Sequence, residues 1–450
     1  MYQTTCVILK NNQHNLTQYC EEMTSLAKLF KNSVIFRCRQ LITAKNKGFC
    51  NLTENEQQVL DEFKLTEDKF KPISDKYYLP SYYHFVYLFT VTNNVDYYNN
   101  LPMQSSQQII KECLTDFKGY YNALKDYKKH PNKYTGKPKL PGYVRNNKTS
   151  FDITNQDCVI KENNTLKFPK IKEIISLGNL KINKLKEVTI KPFYNTYKIC
   201  IVYEEEFTPK QLDETRILGI DLGVNNIVST SNNCGLTPFV INGNGLKSFN
   251  QWFNKTKANL QSKLPQNQYT SKRLEQLYKY RSCRTTDFYN KVASYIIKYC
   301  ICNNIGTIVI GQNTQWKINI NIGKTNNQNF CYIAHSMLIN KINQLSEKVG
   351  IIVMQTEESY TSKASFLDND DIPTYGVNDI EYREITSIDN NISFSGKRVH
   401  RGLYKSKYGI YMNADINGAS NIIRKCVPSA FDKITDYSYL YRSVEKIIIK

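Results

Sequence analysis

Two short segments, centred on Asp221 and Asp415, constrain this chain more than any other feature of it. The first, Ile217-Leu218-Gly219-Ile220-Asp221-Leu222-Gly223-Val224, reads as a buried hydrophobic strand that ends in a carboxylate and a tight turn. The second, Asn413-Ala414-Asp415-Ile416-Asn417-Gly418-Ala419-Ser420-Asn421-Ile422-Ile423, sets a carboxylate at the mouth of a helix. A charged Asp within an apolar run is costly unless something pairs with it. Two of them, each aimed by the end of an element at a common cleft, suggest a divalent-metal site.

Charge narrows the partner. Lys and Arg number 60 against 40 acidic residues, a formal net charge of +20, and such an excess attracts a polyanion, nucleic acid first. The 33 Tyr and 20 Phe suit base stacking, although an AT-rich coding bias accounts for most of that count. The basic residues cluster in three stretches: 118–150 (nine basic, one acidic), 247–291 (ten basic, two acidic) and 393–426 (seven basic, one acidic). Candidate phosphate contacts there are Lys137, Lys139 and Arg145, then Lys272, Arg273, Lys279, Arg281 and Arg284, then Lys397, Arg398 and Arg401. The 13 Cys are scattered without C-x-x-C spacing. With no apolar run of membrane-spanning length and no signal-peptide pattern, a reducing cytoplasm is expected.

At 450 residues, several domains are expected. The fold class predicted is multidomain α+β. Residues 1–14 give a first strand that joins a later β segment, 15–128 read as a helical lobe, and 129–212 as short strands of a small β-barrel behind a Pro/Gly-rich, Lys-rich linker. From 213 to 363 a β-meander is followed by strands separated by long helices, the order of a ribonuclease-H-like α/β layer. Residues 364–411 form an insert, 412–427 the second Asp segment and its helix, and 428–450 a weakly patterned tail, read as mobile.

A two-metal nuclease needs about three carboxylates around cations roughly 4 Å apart, and the strand 305–310 ends in Gly311-Gln312-Asn313, without an acid. The next strand, 350–356, ends in Glu357-Glu358. Parallel neighbours lie about 4.8 Å apart, so a long Glu on one can serve for an acid on the other. By spacing alone either Glu could do so.

I-L-G-I-D-L-G-V-N-N at 217–226, Y-T-S-K at 360–363 and N-A-D-I-N-G-A-S-N-I at 413–422 resemble the TnpB family of insertion-sequence proteins and its relatives, eukaryotic Fanzor and the compact type V CRISPR effectors. The resemblance covers nearly the whole chain and is strongest over 217–426. It implies an RNA-guided DNA endonuclease with a RuvC-type nuclease domain, a helical recognition lobe and a wedge β-barrel. Its partners would be a structured guide RNA and target DNA, with a homodimer one possible assembly. It would act in the cytoplasm of a bacterial cell, associated with the nucleoid. Asp221 and Asp415 match the first and third RuvC motifs. The usual second Glu would fall at Gly311 and is missing, and an alternative E-x-x-T-S setting selects Glu358. Asp221, Glu358 and Asp415 would then be both the catalytic residues and the ligands of two Mg²⁺ ions. Where the family carries the cysteines of a zinc ribbon, this chain has Ser365, Asp368 and Lys405-Ser406-Lys407-Tyr408-Gly409, so no zinc is expected and the 364–411 insert becomes a degenerate ribbon or lid. The acidic run from Asp368 to Asp371 reads as a solvated loop.

Three other functions compete. A cleavage-deficient protein of the same architecture would occupy DNA and repress, which the loss at Gly311 favours and Glu358 opposes. An ATPase of the actin or sugar-kinase type shares the D-L-G turn, but the chain lacks a second Gly-rich phosphate loop with that fold's spacing. A transposase acting alone would need a paired-His or nucleophilic-Tyr motif, and none is evident.

Overall fold

The structure, a computed structural model, describes residues 2–10, 12–180, 182–312, 334–373, 393–400 and 402–449. The chain divides into two compact units, Met1–Glu206 and Phe207–Lys450.

The first unit is built on α1 (His14–Asn46), whose buried Leu16, Cys20, Met23, Ala27, Phe30, Val34, Cys38 and Leu41 recur at three- and four-residue steps. Around it stand α2 (Glu54–Lys64), α3 (Tyr82–Val91) and α4 (Met103–Lys129). A reciprocal capping box starts α2: Thr53 Oγ1 accepts from Glu56 N, and Glu56 Oε2 accepts from Thr53 N. The strands are β1 (Tyr2–Ile8), β2 (Phe151–Thr154), β3 (Val159–Lys161), β4 (Thr165–Lys167), β5 (Ile174–Ser176), β6 (Lys184–Phe193) and β7 (Thr196–Glu204). They form a four-stranded sheet, β1-β7-β6-β2, and a three-stranded one, β3-β4-β5. Among the described residues no ladder joins these two sheets. β1 runs antiparallel to β7, with Cys6 opposite Cys200. The described cysteines are free thiols. Helices and sheets share one core, in which Phe30, Phe89 and Phe117 lie with Ile153, Val188 and Ile199.

The second unit holds a six-stranded sheet. Its strands are β8 (Asp213–Asp221), β9 (Asn226–Asn232), β10 (Phe239–Asn242), β11 (Ile305–Gly311), β12 (Ile352–Thr356) and β16 (Glu445–Ile447), in the order β12-β11-β8-β9-β10-β16. β8, β9 and β10 form the antiparallel meander, and β11 and β12 add parallel to β8. This is the ribonuclease-H-like topology that the order of the elements predicts. α5 (Asn244–Gln261), α6 (Lys272–Cys302) and α7 (His335–Val349) cover one face through Phe249, Tyr289, Ile296, Leu338 and Ile342. α8 (Ala414–Cys426) covers the other through Ile416, Ile422 and Ile423.

Two elements lie outside the sequence-based expectation. The insert contains a three-stranded antiparallel sheet, β13 (Lys397–His400), β14 (Leu403–Lys405) and β15 (Tyr411–Asn413). The last stretch, read as a mobile tail, is packed: Phe431 and Leu440 are buried beside α8, a short helix α9 (Ser438–Arg442) follows, and β16 pairs in parallel with β10. Each of these elements spans too few residues to show a period.

α8 approaches the sheet unusually closely. A Cβ on Gly219 would meet Ile423 Cγ1 at 2.4 Å and the Ala419 carbonyl oxygen at 2.7 Å. Gly219→Ala is therefore expected to lower the stability of this unit by about 1–3 kcal/mol, read as a shift of its urea midpoint. Gly245→Ala, in open space on α5, should leave stability unchanged or raise it by up to about 1 kcal/mol.

Candidate active site

β8 buries Ile217, Leu218 and Ile220 and ends at Asp221, whose carboxylate emerges at the carboxyl edge of the sheet. α8 brings Asp415 to the same edge. Asn413 caps that helix, its Oδ1 accepting from Asp415 N at 2.9 Å and Ile416 N at 3.3 Å. The third carboxylate follows β12. A Cβ on Gly418 would lie 2.7 Å from Asp221 Oδ2, and one on Gly311 would lie 2.9 Å from Glu358 Oε2. Each glycine thus leaves the space into which one carboxylate folds. Gly311, at the end of β11, thus leaves room for the Glu358 carboxylate from the turn after the neighbouring strand.

The two adjacent glutamates have different surroundings. Glu357 Oε2 is 2.6 Å from Lys425 Nζ on α8, and Glu357 Oε1 accepts from Ser359 N. Burial raises the Glu357 carboxyl, but these hydrogen bonds outweigh it and the net shift is downward. Glu358 is pushed up to about 7 by burial and by the charge of Glu357. Its turn is held from several sides: Thr361 Oγ1 donates to the Glu358 carbonyl at 2.8 Å, and Asn421 Nδ2 on α8 donates to the carbonyls of Thr361 at 2.8 Å and Ala364 at 2.7 Å. Asn417, one helical turn earlier, donates to the Ala364 carbonyl and accepts from Phe366 N.

Asp221 keeps a partly exposed edge on the cleft while its carboxylate lies deep against Gly418. It is raised to about 8 by burial and by the charges of Glu358 and Asp415, with Arg398 opposing them. Asp415 accepts from Asn226 Nδ2 at 2.9 Å and lies 3.5 Å from Arg398 Nη2. The cleft, about 780 Å³, is lined by Asp221, Gly223, Asn226, Ser229, Arg398, His400 and Asp415, among others; Glu358 does not line it. Among the described residues no three His, Cys, Asp or Glu side chains already stand at metal-ligand spacing. Asp221 is repelled by the charges of Glu358 and Asp415, a repulsion that a hard cation with oxygen ligands, such as Mg²⁺, would relieve.

The insert's two turns meet without thiolates. Asp368 Oδ2 accepts from Ser365 Oγ at 2.6 Å and from Lys407 N at 2.9 Å, joining the segments where zinc-ribbon cysteines would lie. Asp370 accepts from Ser365 N and from Ser395. These acids, read from sequence as a solvated loop, are instead structural acceptors.

The basic candidates are dispersed. Lys137, Lys139 and Arg145 are exposed on an irregular strap in the first unit, tied to α1 by Arg39 and Asn32. Lys272, Arg273 and Arg284 are exposed on α6 and Lys279 is half-buried there, while Arg281 bonds Asn250 and covers Phe253 within the helix pair. Lys397 and Arg398 are exposed on β13, with Arg398 turned to Asp415. Arg401 lies outside the described residues. Sequence reasoning missed Asn226, His400, Asn417 and Asn421. The signal for the last two was their four-residue spacing on a helix face otherwise made of small and apolar residues.

A pH dependence follows from the raised carboxyls. The folded state holds the protons of Asp221 and Glu358 more tightly than the unfolded chain, so their contribution is complete below about pH 4 and is lost as pH rises through about 7 to 8. In chelator, the melting temperature should fall from pH 5 to pH 8.5. Asp221→Asn should gain about 2 kcal/mol over wild type at the upper end, roughly 4–8 °C. Added Mg²⁺ should stabilise wild type more at pH 8 than at pH 5. A wild-type to Asp221→Asn difference that stays constant with pH would contradict this.

Residues 199–317 match the family model OrfB_IS605, described as a probable transposase. No curated protein matches the chain. Among solved structures, it is similar to a Cas12f1–sgRNA–target DNA complex at 15% identity and TM-score 0.48, covering 91% of this chain and 82% of that one. It is also similar to the mini-RNA-guided endonuclease CRISPR-Cas_phi3 at 11% identity and TM-score 0.46 (95% and 92% covered), and to crRNA-bound CasPhi-2 (Cas12j) at 9% identity and TM-score 0.41 (96% and 98% covered). The family match runs from within β7 to just past β11, about a quarter of the chain.

Proposed function

We propose that this protein is an RNA-guided DNA endonuclease that cuts its target by metal-assisted phosphodiester hydrolysis at Asp221, Glu358 and Asp415. The observation that carries the reading is that Asp221, at the end of β8, feels the charges of both Glu358, after β12, and Asp415, in the first turn of α8. The TnpB-like segment and the +20 charge support it.

Two Mg²⁺ ions bound there would prepare the attacking water and stabilise the leaving 3′ oxygen. The chain's own residues hold the anions in place. Gly418 and Gly311 admit the Asp221 and Glu358 carboxylates, Asn226 orients Asp415, and Lys425 pairs with Glu357. Arg398, beside Asp415 on the cleft wall, would meet the scissile phosphate. The exposed Lys and Arg of the strap, α6 and β13 would grip the guide–target heteroduplex through its backbone, which makes binding strongly salt-dependent. The insert at 364–411 would act as a lid beside the cleft. A DNA target would place the protein at the nucleoid of a bacterial cell.

Glu358→Gln should abolish cleavage of a guide-matched duplex while leaving guide and target affinity within about threefold. Full cleavage by this variant would sink the assignment. Glu357→Gln should retain cleavage and lose stability through the unpaired Lys425. Gly311→Ala places a Cβ against the Glu358 carboxylate and should lower the cleavage rate by about tenfold or more without loss of target binding, measured as single-turnover rate against gel-shift affinity.

A further inference from the structure

α5 and α6 are paired helices that leave the sheet at its carboxylate edge. At the start of α5, Lys247 Nζ donates to Asn225 Oδ1 at 3.2 Å, and Asn225 lines the cleft. On α6, Tyr289 marks the level of the cleft mouth: its hydroxyl accepts from Ala334 N at 3.0 Å, and the next residue, His335, meets the Gly223 carbonyl through Nε2 at 3.1 Å. From Tyr289 to its C-terminal end α6 packs on the sheet. From Tyr289 back to Lys272 it continues for about 25 Å more, braced by α5 through Arg281 and Asn250.

Besides Tyr269 in its connecting turn, this projecting hairpin exposes two large aromatic side chains on the helices themselves. Trp252 is 47% and Tyr280 48% exposed. Their ring centroids lie 6.1 Å apart with the planes at 85°, and buried Phe249 lies beneath both, 5.5 Å from Trp252 and 5.6 Å from Tyr280. Arg284 covers Phe249 at 4.5 Å and donates to the Tyr280 hydroxyl at 3.1 Å. The wedge is therefore pre-organised by its own neighbours. Arg273, Tyr280 and Arg284 recur at seven- and four-residue steps on one face of α6, and exposed Lys255 stands one turn after Trp252.

We propose that this hairpin is a strand-guiding arm and that the Trp252–Tyr280 wedge stacks an unpaired DNA base on its way to the carboxylate cleft. The proposal rests on the nuclease reading above. Aromatic faces hold unpaired bases without regard to sequence, whereas the faces of paired bases are hidden in a duplex, and the surrounding cations neutralise the backbone. The surplus of positive charge on 247–291 selects a polyanion over a protein partner. Arg284 and Tyr280 lie about 8–14 Å along α6 from Tyr289, two to four stacked bases at about 3.4 Å each. That reach places the wedge a few nucleotides from the site of cutting.

The chain has two Trp residues, Trp252 and Trp316, so Trp316→Phe leaves Trp252 as the sole indole reporter. In the guide-free full chain, titration with a single-stranded oligothymidylate should quench its emission saturably. Trp252→Ala combined with Tyr280→Ala should weaken oligothymidylate binding about tenfold or more, with the melting temperature unchanged. Trp252→Phe with Tyr280→Phe should keep the affinity within about threefold. Silent emission at saturating oligothymidylate, or wild-type affinity in a folded alanine pair, overturns the proposal. So does an alanine pair that loses a structured RNA but keeps oligothymidylate, since the wedge would then serve the guide. The readout is strand binding, so it succeeds or fails independently of the Glu358→Gln cleavage test.

Discussion

The packing of α8 across β8 and β11 decides where every carboxylate of the site can lie. At Gly219 the helix comes so close that a single Cβ would strike its backbone. At Gly418 and Gly311 the missing side chains leave pockets that Asp221 and Glu358 fill. Like charges gather here because apolar packing of Ile416, Ile422 and Ile423 against the sheet fixes the frame, and the frame leaves them no other place. The raised proton affinity of Asp221 and Glu358 expresses that constraint: burial and repulsion are held against solvation by the surrounding core.

Much of this was legible in the sequence. The apolar run before Asp221 and the small-residue helix after Asn413 identify their elements, because burial on both faces and close helix approach leave plain compositional marks. The order of strands and long helices after residue 213 gives the sheet topology for the same reason. The choice between Glu357 and Glu358 was different. Spacing left it open, only the E-x-x-T-S resemblance selected Glu358, and the partner of Glu357, Lys425, stands on another element far along the chain.

What sequence could not give was carried by side chains whose partners are distant. Asn417 and Asn421 look like ordinary polar helix residues, yet both are buried and bind the backbone that follows Glu358. Asp368 looks solvated but joins two turns of the insert. The segment read as a tail supplies β16, a strand too short to declare itself by alternation. In each case the local pattern is weak because the interaction is non-local.

The pairing of β1 with β7 has a kinetic consequence. Tyr2 lies opposite Glu204 and Ile8 opposite Lys198, so the first strand finds its partner only after nearly the whole unit has been made. Closing so long a loop adds only slowly growing entropy, but it delays the sheet relative to helices that form locally. During synthesis α1 to α4 can assemble while β1 presents unpaired backbone edges, a state prone to wrong pairing. The sheet of the first unit is thus completed last, and its folding rate should be governed by that one late registration rather than by the local helices.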